Sequence, residues 1–333
     1  MNTLTQGDAQ SMKKGVRWED SHCSLCRSSS TEHLYETKDY RFLTDDVTFN
    51  VVRCAECGLV RVNPRPVEED IHKYYHDDFY RAGESPDEAL AAVKSRVEAM
   101  AEHVNRYQRG RLLDIGCFRG EFIEHMRRTH GWEVAGVEFS ELPPNLYDLN
   151  IFRGDVAEAP FEHESFDVVT IWAVLEHVYH PERVLNAVRK FLKPGGRVII
   201  LVPNFNSIPA RVMHHDDVPR HLTMFTRKTL DRMLRIGGLT PVDWICSQDA
   251  CSGSVRGWLN FLVKRAFGEP MGEIQAQNRS AERWGEFAGC ICNRASGLLR
   301  RVDQFDIWLS PRLDWILDRL GFGFIMIVHA QKK

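Results

Sequence analysis

The sequence predicts an α/β fold built on a mostly parallel sheet, and three observations predict it. From residue 111 onward, short apolar runs that read as strands alternate with helical patterns. One of these runs, Leu112-Leu-Asp-Ile-Gly-Cys-Phe-Arg-Gly120, passes through a glycine turn into a helix. Acidic residues then close the next two strands, at Glu138 and Asp155.

The 333-residue chain carries 43 Lys+Arg and 46 Asp+Glu, a formal charge of −3. That length fits about two domains and buries a core without staples. The balance is that of a soluble globular protein and lacks the basic excess of a chain built to hold nucleic acid. No run reaches the ~18 apolar residues of a membrane span. Residues 1–19 read as a flexible polar tail with no signal-peptide core, so the expected compartment is the cytosol.

Residues 20–62 form a cysteine module. Cys23 and Cys26 are followed, after 27 residues, by Cys54 and Cys57. Two CxxC turns bring four thiolates within reach of one tetrahedral ion, and Zn²⁺ is the expected metal. A hairpin of two longer strands spans the gap, giving a zinc-ribbon-like module. Four sulfur ligands leave no open coordination position, so the ion is structural. Two disulfides would suit a secreted chain, and a redox pair needs only one CxxC. Six Lys/Arg against seven Asp/Glu over 20–65 give the wrong field for phosphates.

Asn63-Pro64-Arg65-Pro66 marks a boundary. Residues 63–108 read as a helical cap or linker, with an aromatic cluster at Tyr74, Tyr75, Phe79 and Tyr80 and one amphipathic helix over 86–107. The core spans 109–250. Its strands are expected at 111–115, 132–137, 166–171, 197–202 and 241–245, and its helices at 121–128, 181–191 and 227–235, with Thr226 capping the last. Lys193-Pro-Gly-Gly196 reads as a turn, and Pro143-Pro144 curtails the second crossover helix. Residues 251–320 interrupt the rhythm as a helical insertion before the last strand in 321–333. Its stripes read first as a core face. Trp258, Phe261 and Phe267 beside Lys264 and Arg265 would also suit peripheral contact with a membrane or a lipid-linked substrate, the second reading.

The glycine turn lets backbone approach a ligand, and the following helix offers its amide-rich start. The spacing Gly116-x3-Gly120 is not that of a dinucleotide site, and Asp114 before the turn favours a positive amino group over a pyrophosphate. Glu138 is placed to accept from two ribose hydroxyls, and Asp155, followed by Val156, to meet an adenine amino group.

These residues together resemble class I S-adenosylmethionine-dependent methyltransferases, over roughly 109–250 plus the last strand. Asp114-Ile-Gly116-Cys117-Phe-Arg-Gly120 looks like the family's first motif. Glu138 falls at its ribose acid and Asp155 at its adenine-side acid. Ser165 to His177 resembles the fourth-strand motif. Leu192-Lys-Pro-Gly-Gly196 with Val202-Pro-Asn204 looks like the fifth-strand signature. The cysteine module, Cys57-Gly-Leu-Val-Arg-Val-Asn-Pro-Arg-Pro66 and Val218-Pro-Arg-His-Leu222 are similar to a bacterial subgroup whose members act in surface-glycan or other specialised biosynthesis. The resemblance implies a Rossmann-like core and S-adenosylmethionine as cofactor. Phe118 departs from the family's middle glycine and either points away from the cofactor or narrows the pocket.

Methyl transfer is an in-line displacement in which positioning does much of the work. A hydroxyl or carbon acid also needs a base, with His177, His180, His214, His215 and His221 as candidates and Tyr74, Tyr75 and Tyr80 as donors. His221 is favoured because the loop after the fifth strand faces the cleft. Ordering of that loop is the alternative role. His214-His215 with Asp216-Asp217 reads as a solvated loop rather than a metal pair. Trp172 either walls the cofactor pocket or packs in the core. The expected function is methyl transfer to a small-molecule, sugar or lipid-linked glycan acceptor, with no nucleic-acid partner. An RNA methyltransferase and a non-catalytic cofactor-binding scaffold are the alternatives.

Overall fold

In this computed structural model the described residues are 15–39, 46–75, 85–140, 144–207, 210, 217–246, 305, 308–309, 312–313 and 315–333. They divide into two units, drawn from 1–76, 205–224 and 254–324 and from 77–204, 225–253 and 325–333.

In the first unit, β1 (Trp18–Glu19) is followed by an antiparallel hairpin, β2 (Thr31–Lys38) and β3 (Thr48–Cys54), and then β4 (Val60–Val62). The hairpin is the one expected to span the gap between the cysteine pairs. β5 (Arg65–Pro66) returns to pair with β1. A two-residue strand at Thr223–Met224 lies beside β4. Phe49 and Val51 of β3 and Val60 and Val62 of β4 bury together with Tyr74 and Val218. Tyr74 is thus a core residue, fully buried and edge-on to Phe49 at 5.5 Å, and not a donor at an acceptor site. Phe79 and Tyr80 lie outside the described residues.

In the second unit the expected single helix over 86–107 is two, α1 (Pro86–Ala92) and α2 (Lys94–Val104). Ser85 and Glu88 form a capping box that fixes the start of α1, and Val93 leaves helical geometry at ψ 9° between the two. The core then runs β6 (Arg111–Ile115), α3 (Glu121–His130), β7 (Glu133–Glu138), β8 (Ile151–Arg153), β9 (Phe166–Trp172), α4 (Pro181–Phe191) and β10 (Leu192–Pro203). β11 is the Thr223–Met224 strand of the first unit. The second unit resumes with α5 (Arg227–Ile236), β12 (Leu239–Cys246) and β13 (Ile325–Lys332). Thr226 caps α5 as expected, bonding reciprocally with Thr229.

The seven-stranded sheet has the order β12-β13-β10-β9-β6-β7-β8. The pairs β10/β9, β9/β6, β6/β7 and β7/β8 are parallel, and β13 runs antiparallel between β10 and β12. This is the expected Rossmann-like architecture, with its strand order reversing between β6 and β9. Turn residues Lys193–Gly196 lie inside β10 as a register shift, because Leu192 already pairs with Phe166 before Arg197 meets Val168. Among the described residues no helix joins β7 to β8, and none is long and apolar enough to cross a membrane. The expected insertion at 251–304 lies outside the described residues, and helix is described at 305, 308–309, 312–313 and 315–319.

α2 lays His103 against β13. His103 Nδ1 and His329 Nε2 are 3.1 Å apart, and the Tyr107 hydroxyl lies 2.6 Å from His329 Nδ1. Both imidazoles are buried. Burial, then the neighbouring His103, pushes His329 from 6.5 down to about 4. The ring therefore stays neutral in the folded chain where the unfolded chain would take a proton. Its stabilisation is complete above pH 6.5 and is lost as pH falls toward 4, by at most ~1.4 kcal/mol per pH unit. Urea midpoints should fall over that window, and His329→Gln should flatten the fall. An equal acid response in both proteins would count against this reading.

Candidate cofactor and metal sites

The candidate cofactor site stands at the carboxyl ends of β6, β7 and β8, where an open α/β sheet binds ligands. Asp114 faces Thr170 across the β6/β9 pair and accepts a hydrogen bond from its Oγ1 at 2.7 Å. Burial pushes the Asp114 carboxyl up to about 8. The Thr170 bond opposes that rise, and Glu138 adds to it. Thr170 was not legible in the sequence as a site residue, because only strand register brings it to Asp114.

The turn after Asp114 is tied to β7. The amides of Gly116 and Cys117 donate to the Val137 carbonyl at 2.7 and 3.1 Å. Gly116 sits at φ +76°, where a Cβ would strike the Val174 side chain, so no other residue fits. Gly120, at φ +95°, opens α3. Cys117 is buried with its sulfur against Gly136, so only its backbone is available to a ligand. Phe118 takes φ +54°, a conformation that costs a bulky side chain about 1–2 kcal/mol. Its amide donates to Glu138 Oε2 at 2.7 Å, and the Arg119 guanidinium covers its ring.

Glu138 is held from both sides, because the Ser140 amide donates to Oε1 at 3.0 Å. Burial raises its pKa, and the Ser140 and Phe118 amides pull it back. Arg153, its register partner on β8, donates to the Ser140 carbonyl and braces the same loop. Asp155 caps a short 3-10 turn. Oδ1 accepts from the Ala157 amide at 2.8 Å, and Oδ2 faces Arg183 at 3.4 Å. Val156 beneath it is fully buried. Trp172 ends β9 edge-on to Phe122, with His103 on its other side. Its indole Nε1 is buried and has no hydrogen-bond partner among the described residues. The site therefore offers two buried acids and one adenine-side acid around a glycine turn. That donor set suits a ligand with an amino group, a diol and a purine.

The candidate metal site lies in the first unit. The Sγ atoms of Cys23, Cys26, Cys54 and Cys57 all lie within 4.8 Å of one another. Cys23–Cys57 and Cys26–Cys54 approach to 3.4 Å. A ZnS₄ tetrahedron with ~2.3 Å bonds has edges of about 3.8 Å, so the cage fits one such ion. Each CxxC forms the same knuckle. The amide of Arg27 donates to Cys23 O and that of Gly58 to Cys54 O, at φ +64° and +78°.

His221 belongs to the first unit, on the turn that follows Asp217. The Asp217 amide donates to His221 Nδ1 at 3.3 Å. A neutral ring held this way carries its proton on Nε2. Acting as a base through Nε2 would require that bond to break. The neighbouring Arg220, overlooked in the sequence, is fully buried. It donates to Asp217 Oδ1, to both oxygens of Asp39 and to the Tyr74 carbonyl, at 2.6–3.1 Å. Burial works against its charge, but Asp217 and Asp39 outweigh it and hold Arg220 cationic. His214 and His215 lie outside the described residues, and His180 sits at the start of α4.

A family model described as a methyltransferase domain matches residues 87–243. A ubiquinone biosynthesis O-methyltransferase of Stutzerimonas stutzeri is 33% identical over 124 residues, 33% of this chain and 51% of that protein. The one from Neisseria meningitidis is 30% identical over 156 residues, covering 40% and 65%. The chain thus spans about half to two thirds of the length of these relatives. Among solved structures, geranyl diphosphate C-methyltransferase from Streptomyces coelicolor aligns over 74% of this chain and 82% of its own, at 14% identity and a TM-score of 0.45.

Proposed function

We propose that this chain, whose residues 87–243 match a methyltransferase domain, is a class I S-adenosylmethionine-dependent enzyme that methylates a small organic acceptor. A sugar or a lipid-linked glycan is the narrower form of that acceptor. The names of the curated relatives support oxygen as the receiving atom. The observation that carries the reading is the single run of acids and glycines, Asp114, Gly116, Gly120, Glu138 and Asp155, at the ends of three adjacent parallel strands.

S-adenosylmethionine supplies an electrophilic methyl group on a sulfonium. Asp114 holds the amino end of the ligand through charge, with Thr170 fixing its carboxyl plane. The backbone of Gly116, Cys117 and Gly120 lets the ligand lie close against the turn. Glu138, oriented by the Phe118 and Ser140 amides, accepts from the ribose hydroxyls. Asp155 and Val156 would bound the adenine edge, with Arg183 beside Asp155 Oδ2. Trp172 walls the pocket. His221, whose Nδ1 accepts from the Asp217 amide, is the acceptor-side residue we assign to the first unit. The four cysteines hold a structural Zn²⁺.

The test is retention of S-adenosylmethionine by titration calorimetry, followed by transfer of labelled methyl into fractionated cell extract. Glu138→Arg should weaken cofactor binding at least about 100-fold, because it removes the diol acceptor and buries an unpaired charge. His221→Gln should leave cofactor affinity unchanged and lower kcat. Normal binding by Glu138→Arg would remove the pocket assignment, and label entering only nucleic acid would remove the acceptor class.

A further inference from the structure

We infer that the face carrying Phe305, Trp308, Arg312, Trp315, Ile316, Arg319 and Leu320 docks on an anionic lipid surface. The inference goes beyond methyl transfer and does not depend on it.

These residues stand three and four apart, the spacing of a single helical face, and the described ones among them are helical up to Arg319. The apolar members, together with Phe322, are 44–64% exposed, whereas Leu317 on the opposite side is buried. Isolated exposed leucines need no explanation, but six large apolar side chains within eighteen residues form a patch. Phe305 and Trp308 stack at 5.6 Å.

The charges on this face decide what it fits. Arg312 lies over the Trp308 ring at 4.1 Å, and Arg319 over Trp315 at 3.8 Å. Each pair is four residues apart and presents an indole with a guanidinium on its face. Trp and Arg together suit the headgroup level of a bilayer, where the ring is half-wet and the cation meets phosphate. The carboxylate of Asp318 is turned away and occupies the space a Cβ would fill at Gly323. A symmetric contact between two copies would therefore oppose arginines with no acid among the described residues of the face to pair them. Residues 253–333 also carry 12 Lys/Arg against 8 Asp/Glu, in a chain that is otherwise acidic. Anionic headgroups supply the missing counter-charge.

The test uses the full chain in co-sedimentation with vesicles of phosphatidylcholine alone and of phosphatidylcholine with phosphatidylglycerol in equal parts. Binding is expected to the anionic vesicles. It should weaken at least about tenfold in Trp308→Glu/Trp315→Glu and in Arg312→Glu/Arg319→Glu, with melting temperatures unchanged. Four outcomes would overturn the proposal. The first is no binding to anionic vesicles. The second is equal binding by the wild type and both variants. The third is a dimer that the tryptophan variant splits, which would make the face an interface between copies. The fourth is a marked loss of melting temperature in both variants, which would make it part of the core.

Discussion

S-adenosylmethionine should bind more tightly as pH rises toward about 8, and near neutrality each bound cofactor should expel close to one proton. The cause is the state of Asp114 before binding. Its carboxyl is buried, accepts the Thr170 hydroxyl, and lies near a second acid, so it is largely protonated at pH 7. A cationic amino group placed beside it favours the ionised form and pulls its pKa down. Between the lowered and the free value, affinity gains up to about tenfold per pH unit, and above about 8 the gain stops. Calorimetry in buffers of different ionisation enthalpy measures the proton directly. Asp114→Asn keeps the shape and the Thr170 contact but cannot ionise. It should flatten the pH dependence and cost about 10–100-fold in affinity on the alkaline side. A proton count near zero, with the same Kd at pH 6.5 and 8.5 for the native chain, would show that Asp114 does not face the amino group.

The framework of this site was legible because its signals are local. β6, β7 and β8 are short runs that lead into a glycine or end on an acid, and Asp114, Glu138 and Asp155 stand at or beside those ends. The break at Val93 was not legible. DEALAAVKSRVEAM keeps one amphipathic stripe throughout, and only the backbone geometry at Val93 separates α1 from α2. Long-range partners were equally hidden. Arg220 reads as an ordinary loop cation until the fold brings Asp39, 181 residues away, onto its guanidinium. Tyr74 reads as an exposed aromatic because its burial depends on β3. Residue types that bind ligands can be picked out from spacing, but the groups that orient them follow from register and packing.

Removing the metal from the cysteine cage should unfold the module that carries it. Structural Zn²⁺ contributes about 10–16 kcal/mol of apparent binding energy, as much as the whole stability of an ordinary domain. The module's apolar core is built on β3 and β4, and the parts around the cage are short. β1 and β5 are two residues each, and the knuckles at Cys23–Cys26 and Cys54–Cys57 meet through sulfur. The closest sulfur pairs, at 3.4 Å, are well beyond a ~2.05 Å disulfide bond, and all four cysteines are free. Elemental analysis should find one zinc per chain, falling to background in Cys54→Ser. A strong chelator should produce a separate low-temperature melting transition in the native chain, and Cys54→Ser should show that transition without chelator. Cofactor affinity, which rests on residues of the other unit, provides the control. A chain with no zinc that melts identically with and without chelator would show that the cage is held by packing alone.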